Sequence, residues 1–123
     1  MAEASFDFSV LTRAGVPLQQ FAAGQKIFVV DDDGSCMYAV RSGRVSIMMY
    51  GAVLESVGPD GIFGEMALID GSPRSATAVA AVPTEVASID KDMFANLVRQ
   101  DPNFALQVMR LMARRIRQMN ASL

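Results

Sequence analysis

FGEMALIDGSPRSATA, residues 63–78, places one carboxylate, Glu65, and one guanidinium, Arg74, in a stretch whose other positions are nearly all small, apolar or turn-forming. A charge in such surroundings is costly unless it finds a partner. Arg74 therefore either pairs within the protein, with Glu65 across a surface turn as the simplest case, or waits for an anion. Glu65-Met66-Ala67-Leu68 follows a glycine with good helix formers, which predicts a short helical turn starting near Glu65. The first amides of such a turn lack internal partners and favour negative charge. Asp70-Gly71-Ser72-Pro73 then turns the chain, and Arg74 follows with Ser75, Ala76 and Thr77, which offer hydroxyls and close approach to backbone amides. One phosphate could meet a guanidinium fork, a helix N-terminus and a hydroxyl together. Glu65, as an acceptor only, would then seek donors such as ribose hydroxyls.

Outward from this stretch the chain reads as short strands punctuated by glycine. PLQQFAAGQKIFVV divides at Gly24, and CMYAVRSGRVSIMMY divides at Ser42-Gly43. Gly51 separates the latter from AVLESV, and Gly58-Pro59-Asp60-Gly61 makes another turn. TAVAAVPTEVASI continues in the same style despite its many alanines. Closely spaced turn signals with β-branched and aromatic residues between them predict a small antiparallel barrel or jelly roll.

Beyond Asp90 the pattern becomes helical. Asp90 is placed to cap KDMFANLVRQ, which ends before Pro102, and NFALQVMRLMARRIRQMN is the clearest helix of the chain. That last helix carries two adjoining apolar stripes. Phe104, Val108 and Leu111 form one; Ala105, Met109, Met112, Ile116 and Met119 form the other, spaced 4-3-4-3 as an a/d seam. An apolar arc so wide needs two partners, the barrel on one side and a ligand, lid site or second subunit on the other, unless both stripes are core.

The 123 residues leave room for one domain over 1–123, and 51% hydrophobic with 20% charged residues is an ordinary globular composition. The chain has no histidine and one cysteine, Cys36, which removes His-based nucleophile systems, His metal clusters and thiolate metal sites. No catalytic residue and no metal ligand is therefore assigned. Asp31-Asp32-Asp33-Gly34 lacks the alternating ligands, the sixth-position glycine and the closing glutamate of a calcium loop, and reads as a solvated turn. No apolar run reaches a membrane span and the N-terminus is acidic rather than signal-like, so a cytoplasmic location is expected. Net charge is −2, yet the charge is uneven: residues up to Asp101 hold 7 basic and 13 acidic groups, whereas four arginines and no acid follow Pro102.

Gly64-Glu65-Met66-Ala67-Leu68, a short loop, then Pro73-Arg74-Ser75-Ala76-Thr77 resembles the phosphate-binding cassette of the cyclic nucleotide-binding domain family. The resemblance extends from about Pro17 to the end, through Gly24 with Ile27-Phe28, Met37-Tyr38 and Gly43, to the two closing helices. It implies a mainly β fold with flanking α: an antiparallel β-roll or jelly-roll barrel over about 17–90, a short phosphate-binding helix, and C-terminal helices over about 91–120. It further implies that Arg74 binds the cyclic phosphate and Glu65 the ribose 2′-hydroxyl. Gly64, Met66 and the amides of Ala67, Ser75 and Ala76 complete the cradle. Met66 stands where leucine is common, at a position the family uses through its backbone.

For the base, the resemblance points to apolar strand positions, Ile47 and Leu54, and to a cover from the last helix, where Arg115 and Asn120 fall near the family's stacking and base-bonding positions. An arginine over a purine face is physically reasonable. Ser75 does not separate cyclic AMP from cyclic GMP; family frequency favours cyclic AMP. The implied role is that of a regulatory sensor, not an enzyme, in which ligand repositions the C-terminal helices and an output protein reads the change. Met109, Met112, Ile116 and Met119 are the candidate homodimer seam. No DNA partner is expected, since a reading helix would need chain beyond Leu123. The rival reading is a nucleotide-independent interaction or dimerisation module of the same fold.

Overall fold

A computed structural model describes residues 8–121. A short helix, α1 (Phe8–Arg13), precedes eight strands: β1 (Leu18–Phe21), β2 (Lys26–Phe28), β3 (Cys36–Ser42), β4 (Val45–Met49), β5 (Ala52–Val57), β6 (Ile62–Phe63), β7 (Thr77–Ala80) and β8 (Thr84–Asp90). The helix α2 (Glu65–Asp70) interrupts the strands between β6 and β7, and α3 (Lys91–Gln100) and α4 (Pro102–Ala121) close the chain. The strands form two four-stranded antiparallel sheets, ordered β1-β8-β3-β6 and β2-β7-β4-β5. This is the predicted β-roll with flanking helices.

The period-two alternation of side chains explains how the first sheet serves two cores at once. On β3, Met37 and Ala39 face the helices while Tyr38 and Val40 face the roll interior. Strand β8 does the same, with Ala87 and Ile89 on the helix side and Val86 inside, and β6 splits Ile62 from Phe63 likewise. Buried on both faces, these strands place apolar residues at consecutive positions, Met37 to Val40 on β3 and Val86-Ala87 on β8. The helix-side core gathers Leu11, Leu68, Leu97, Phe104 and Val108; the interior core gathers Val45, Val57 and Ala78 with the Tyr38–Phe63 stack, whose ring centroids lie 5.1 Å apart.

The turns are fixed where glycine was expected. Gly43 takes a φ of +93°, and a β-carbon there would stand 2.5 Å from the Pro83 carbonyl, so no other residue fits between β3 and β4 without moving the chain. At the helical end, the Asp90 side chain accepts a hydrogen bond from the Met93 amide at 2.8 Å, which is the expected N-cap of α3. Of the two stripes on α4, Phe104 and Val108 are core, and Leu111 is partly buried against it. The second stripe is split: Met112 packs against the core, whereas Met109 and Ile116 are each 57% exposed. The side chain of Met119 lies outside the described residues.

Candidate functional site

Residues 64–76 form a compact loop between β6 and β7, built around α2. Gly64 caps that helix in the left-handed region at φ 76°, and Gly71 ends it at φ 73° with its amide donating to the Ala67 carbonyl. The Asp70 carboxylate then accepts from both the Ser72 amide, at 2.9 Å, and the Ser72 hydroxyl, at 2.5 Å. Those bonds hold its carboxyl below the usual aspartate range and fix the turn that delivers Pro73 and Arg74. Arg74 is then locked by its own backbone. Its amide donates to the Asp32 carbonyl and its carbonyl accepts from the Asp31 amide, both at 2.8 Å.

The guanidinium of Arg74 turns inward, leaving the residue only 4% exposed. Nη1 donates to the Gly64 carbonyl at 2.8 Å and Nη2 to the Cys36 carbonyl at 2.7 Å, while Cζ lies 4.1 Å from the Phe28 ring centroid. Nε is buried and has no hydrogen-bond partner among the described residues. Glu65, at the head of α2, is 3% exposed, yet it does not pair with Arg74. Its partner is Arg115 of α4, whose Nη1 donates to Glu65 Oε1. The reading in which Glu65 and Arg74 pair across a surface turn is thereby overturned: both are buried, and each has other partners. Backbone carbonyls reach Arg74 first, and the approach of α4 supplies Glu65 with a cation.

The remaining positions expected in a phosphate cradle lie in the same loop. Ala67 and Ala76 are buried, Gly64 is half-buried, and Met66 and Ser75 are exposed. The positions expected to line a base lie apart in character. Ile47 is half-buried in β4, opposite Ala78 of β7, and packs against the interior core. Leu54 is 63% exposed on β5 and Asn120 is exposed on α4. Arg115, expected over a base, holds Glu65, the Ile62 carbonyl and Glu55. Phe28, Gly34 and the Cys36 carbonyl complete the surroundings of Arg74 without having been assigned to it from sequence. Phe28 was visible only as part of the resemblance, and Gly34 only as the end of an acidic turn.

A two-sheet roll thus buries Arg74 beside a short helix headed by Glu65. The family model of the cyclic nucleotide-binding domain matches residues 18–101, and the chain belongs to that family. It is 34% identical over 108 residues to the cyclic AMP receptor protein of Thermus thermophilus, covering 84% of this chain and 50% of the relative. It is 28% identical over 120 residues to the CRP-like cAMP-activated global transcriptional regulator of Mycobacterium tuberculosis, covering 94% of this chain and 53% of the relative. The crystal structure of Thermus thermophilus catabolite activator protein superposes with a TM-score of 0.81 at 31% identity, over 93% of this chain and 57% of that one. The chain spans about half the length of these curated relatives. The expectation of no DNA partner, which rested on the chain ending at Leu123, loses its ground there. No helix among the described residues is long and apolar enough to cross a membrane.

Proposed function

We propose that the loop 64–76 binds cyclic AMP in preference to cyclic GMP, with Arg74 on the cyclic phosphate and Glu65 on the ribose 2′-hydroxyl. The amides of Ala67, Ser75 and Ala76 complete the phosphate cradle, and Gly64 and Met66 contribute backbone. One observation carries the reading: the buried guanidinium of Arg74 keeps an unpartnered Nε. A buried donor left unmade costs about 1–3 kcal/mol, more when charged, and an incoming phosphate oxygen would satisfy it. Names of the relatives that pair cyclic AMP with regulation support the choice of ligand. The chain acts as a non-catalytic sensor, cytoplasmic, whose ligand shifts the placement of α3 and α4 by its difference in affinity for the two placements.

The test is calorimetric titration with cyclic AMP and cyclic GMP after unfolding and refolding the protein to strip carried nucleotide. One-to-one binding that collapses in Arg74→Ala, with cyclic AMP the tighter ligand, is the expected result. Absence of binding from refolded protein overturns it. The second reading, a nucleotide-independent interaction module, is favoured by the exposure of Met109 and Ile116 on α4. It requires a complex indifferent to nucleotide.

A further inference from the structure

The side chain of Arg115 ties three elements together. Nε donates to Glu55 Oε2 on β5 at 2.9 Å, Nη1 donates to Glu65 Oε1 at the head of α2, and Nη2 donates to the Ile62 carbonyl of β6. All three nitrogens of the guanidinium are thus engaged, and the Glu65 side chain beneath it is almost wholly buried. The carboxylate proposed to receive a ribose hydroxyl is therefore already covered from the α4 side by a cation of the same chain. We infer that Arg115 is an internal occupant of the ribose subsite, which nucleotide must displace in order to bind.

The inference rests on the proposed role of Glu65 and adds a competition to it. A ribose hydroxyl offers Glu65 a hydrogen bond in which only the acceptor is charged, whereas Arg115 offers one between two opposite charges in a buried setting. Exchange at Glu65 is thus unfavourable by itself and must be driven by the phosphate reaching Arg74. Affinity is lowered by the fraction of molecules in which Arg115 still holds Glu65. The same exchange withdraws the guanidinium from α2, β6 and Glu55 of β5 together. Occupation of the site and release of the Arg115 end of α4 are then one event, because a single side chain serves both.

The test compares the full chain with Arg115→Gln and Glu55→Gln, each stripped of nucleotide, by calorimetric titration with cyclic AMP and by hydrogen exchange of residues 110–118 without nucleotide. Arg115→Gln is expected to bind cyclic AMP about 5- to 30-fold more tightly and to exchange faster along α4. Glu55→Gln, which weakens the anchor without touching the ribose subsite, is expected to move both readouts the same way by less, and it carries the test should Arg115→Gln not fold. Equal or weaker binding by the variants, with wild-type binding intact, overturns the competition while sparing the nucleotide reading. Wild-type protein that binds no cyclic AMP overturns the nucleotide reading and the competition with it.

Discussion

Gly34 lies against the guanidinium of Arg74 so closely that a β-carbon on residue 34 would stand 2.7 Å from Arg74 Cζ and 2.8 Å from Ala67 Cβ. The acidic run Asp31-Asp32-Asp33 therefore ends in a residue that leaves space for the arginine, and its backbone pairs with Arg74 on both sides. The loop is a cover for a buried cation, and among the described residues no cluster of three or more His, Cys, Asp or Glu is placed to hold a metal ion. Gly34→Ala forces either the loop or the guanidinium to move. Overpacking of this kind typically costs about 1–3 kcal/mol, and a displaced arginine loses its aim. Gly34→Ala is expected to lower stability by that amount in denaturant titration and to weaken cyclic AMP binding about 10-fold. Wild-type affinity in a Gly34→Ala protein would show that the guanidinium tolerates displacement.

Arg74 spans two carbonyls, of Gly64 and Cys36, and leaves Nε buried without a hydrogen bond. That division of labour needs a planar fork. Lysine keeps the charge but has one nitrogen on a flexible stem, so it cannot hold both carbonyls and meet a phosphate together. Arg74→Lys is expected to weaken cyclic AMP binding by roughly 10-fold, and Arg74→Ala by roughly 30-fold or more. Calorimetry on both variants checks the order, and a lysine that binds as well as arginine would mean that charge alone suffices.

The interior stack gives a pH signature. Burial first, then the neighbouring Cys36 thiol, pushes the Tyr38 phenol from its ordinary 10.0 up to about 12, with the Arg74 charge opposing. The folded protein thus keeps a proton that the unfolded chain gives up more readily. The stability this contributes is whole below pH 10 and is lost as pH rises through about 12. The loss amounts to about 3 kcal/mol at most. Tyr38→Phe retains the ring on Phe63 and removes the titration, so its denaturation midpoint is expected to fall less steeply over that window. Parallel curves for the two proteins would place the alkaline loss elsewhere.

Much of this was legible in the sequence, and the reason is local. Glycine at Gly24, Gly43, Gly51, Gly64 and Gly71 marks backbone that adopts positive φ, and each falls in a break between elements or at a cap. The alanine-rich stretch Thr77–Ala80 to Thr84–Asp90 forms strands against weak propensity, and Ala78, Ala80 and Ala87 in it are fully buried. The cassette residues were legible because they lie within one loop. What surrounds them was not. Phe28 under Arg74, and Glu55 with Arg115 sixty positions away, meet only once the sheets and α4 have packed. Spacing along the chain carries no trace of such pairs, so the eventual partner of Glu65 could not be read from its neighbours.

Met109 and Ile116 stand one seam apart from the core stripe of α4, and both are 57% exposed although Phe104 and Val108 beside them are fully packed. Two large side chains seven residues apart on one helix face match the repeat with which helices pair, and Met112 between them is already engaged by the core. A second copy of α4 is the occupant proposed for this face. Replacing an apolar seam residue by a charge would bury that charge without a partner in the dimer, while in the monomer it would remain in water. Ile116→Glu and Met109→Glu are therefore expected to shift sedimentation equilibrium from dimer to monomer and to leave the denaturation midpoint of the monomer within about 0.5 kcal/mol of wild type. A wild-type chain that sediments as a monomer at all concentrations, with or without cyclic AMP, would remove the seam as a self-association surface.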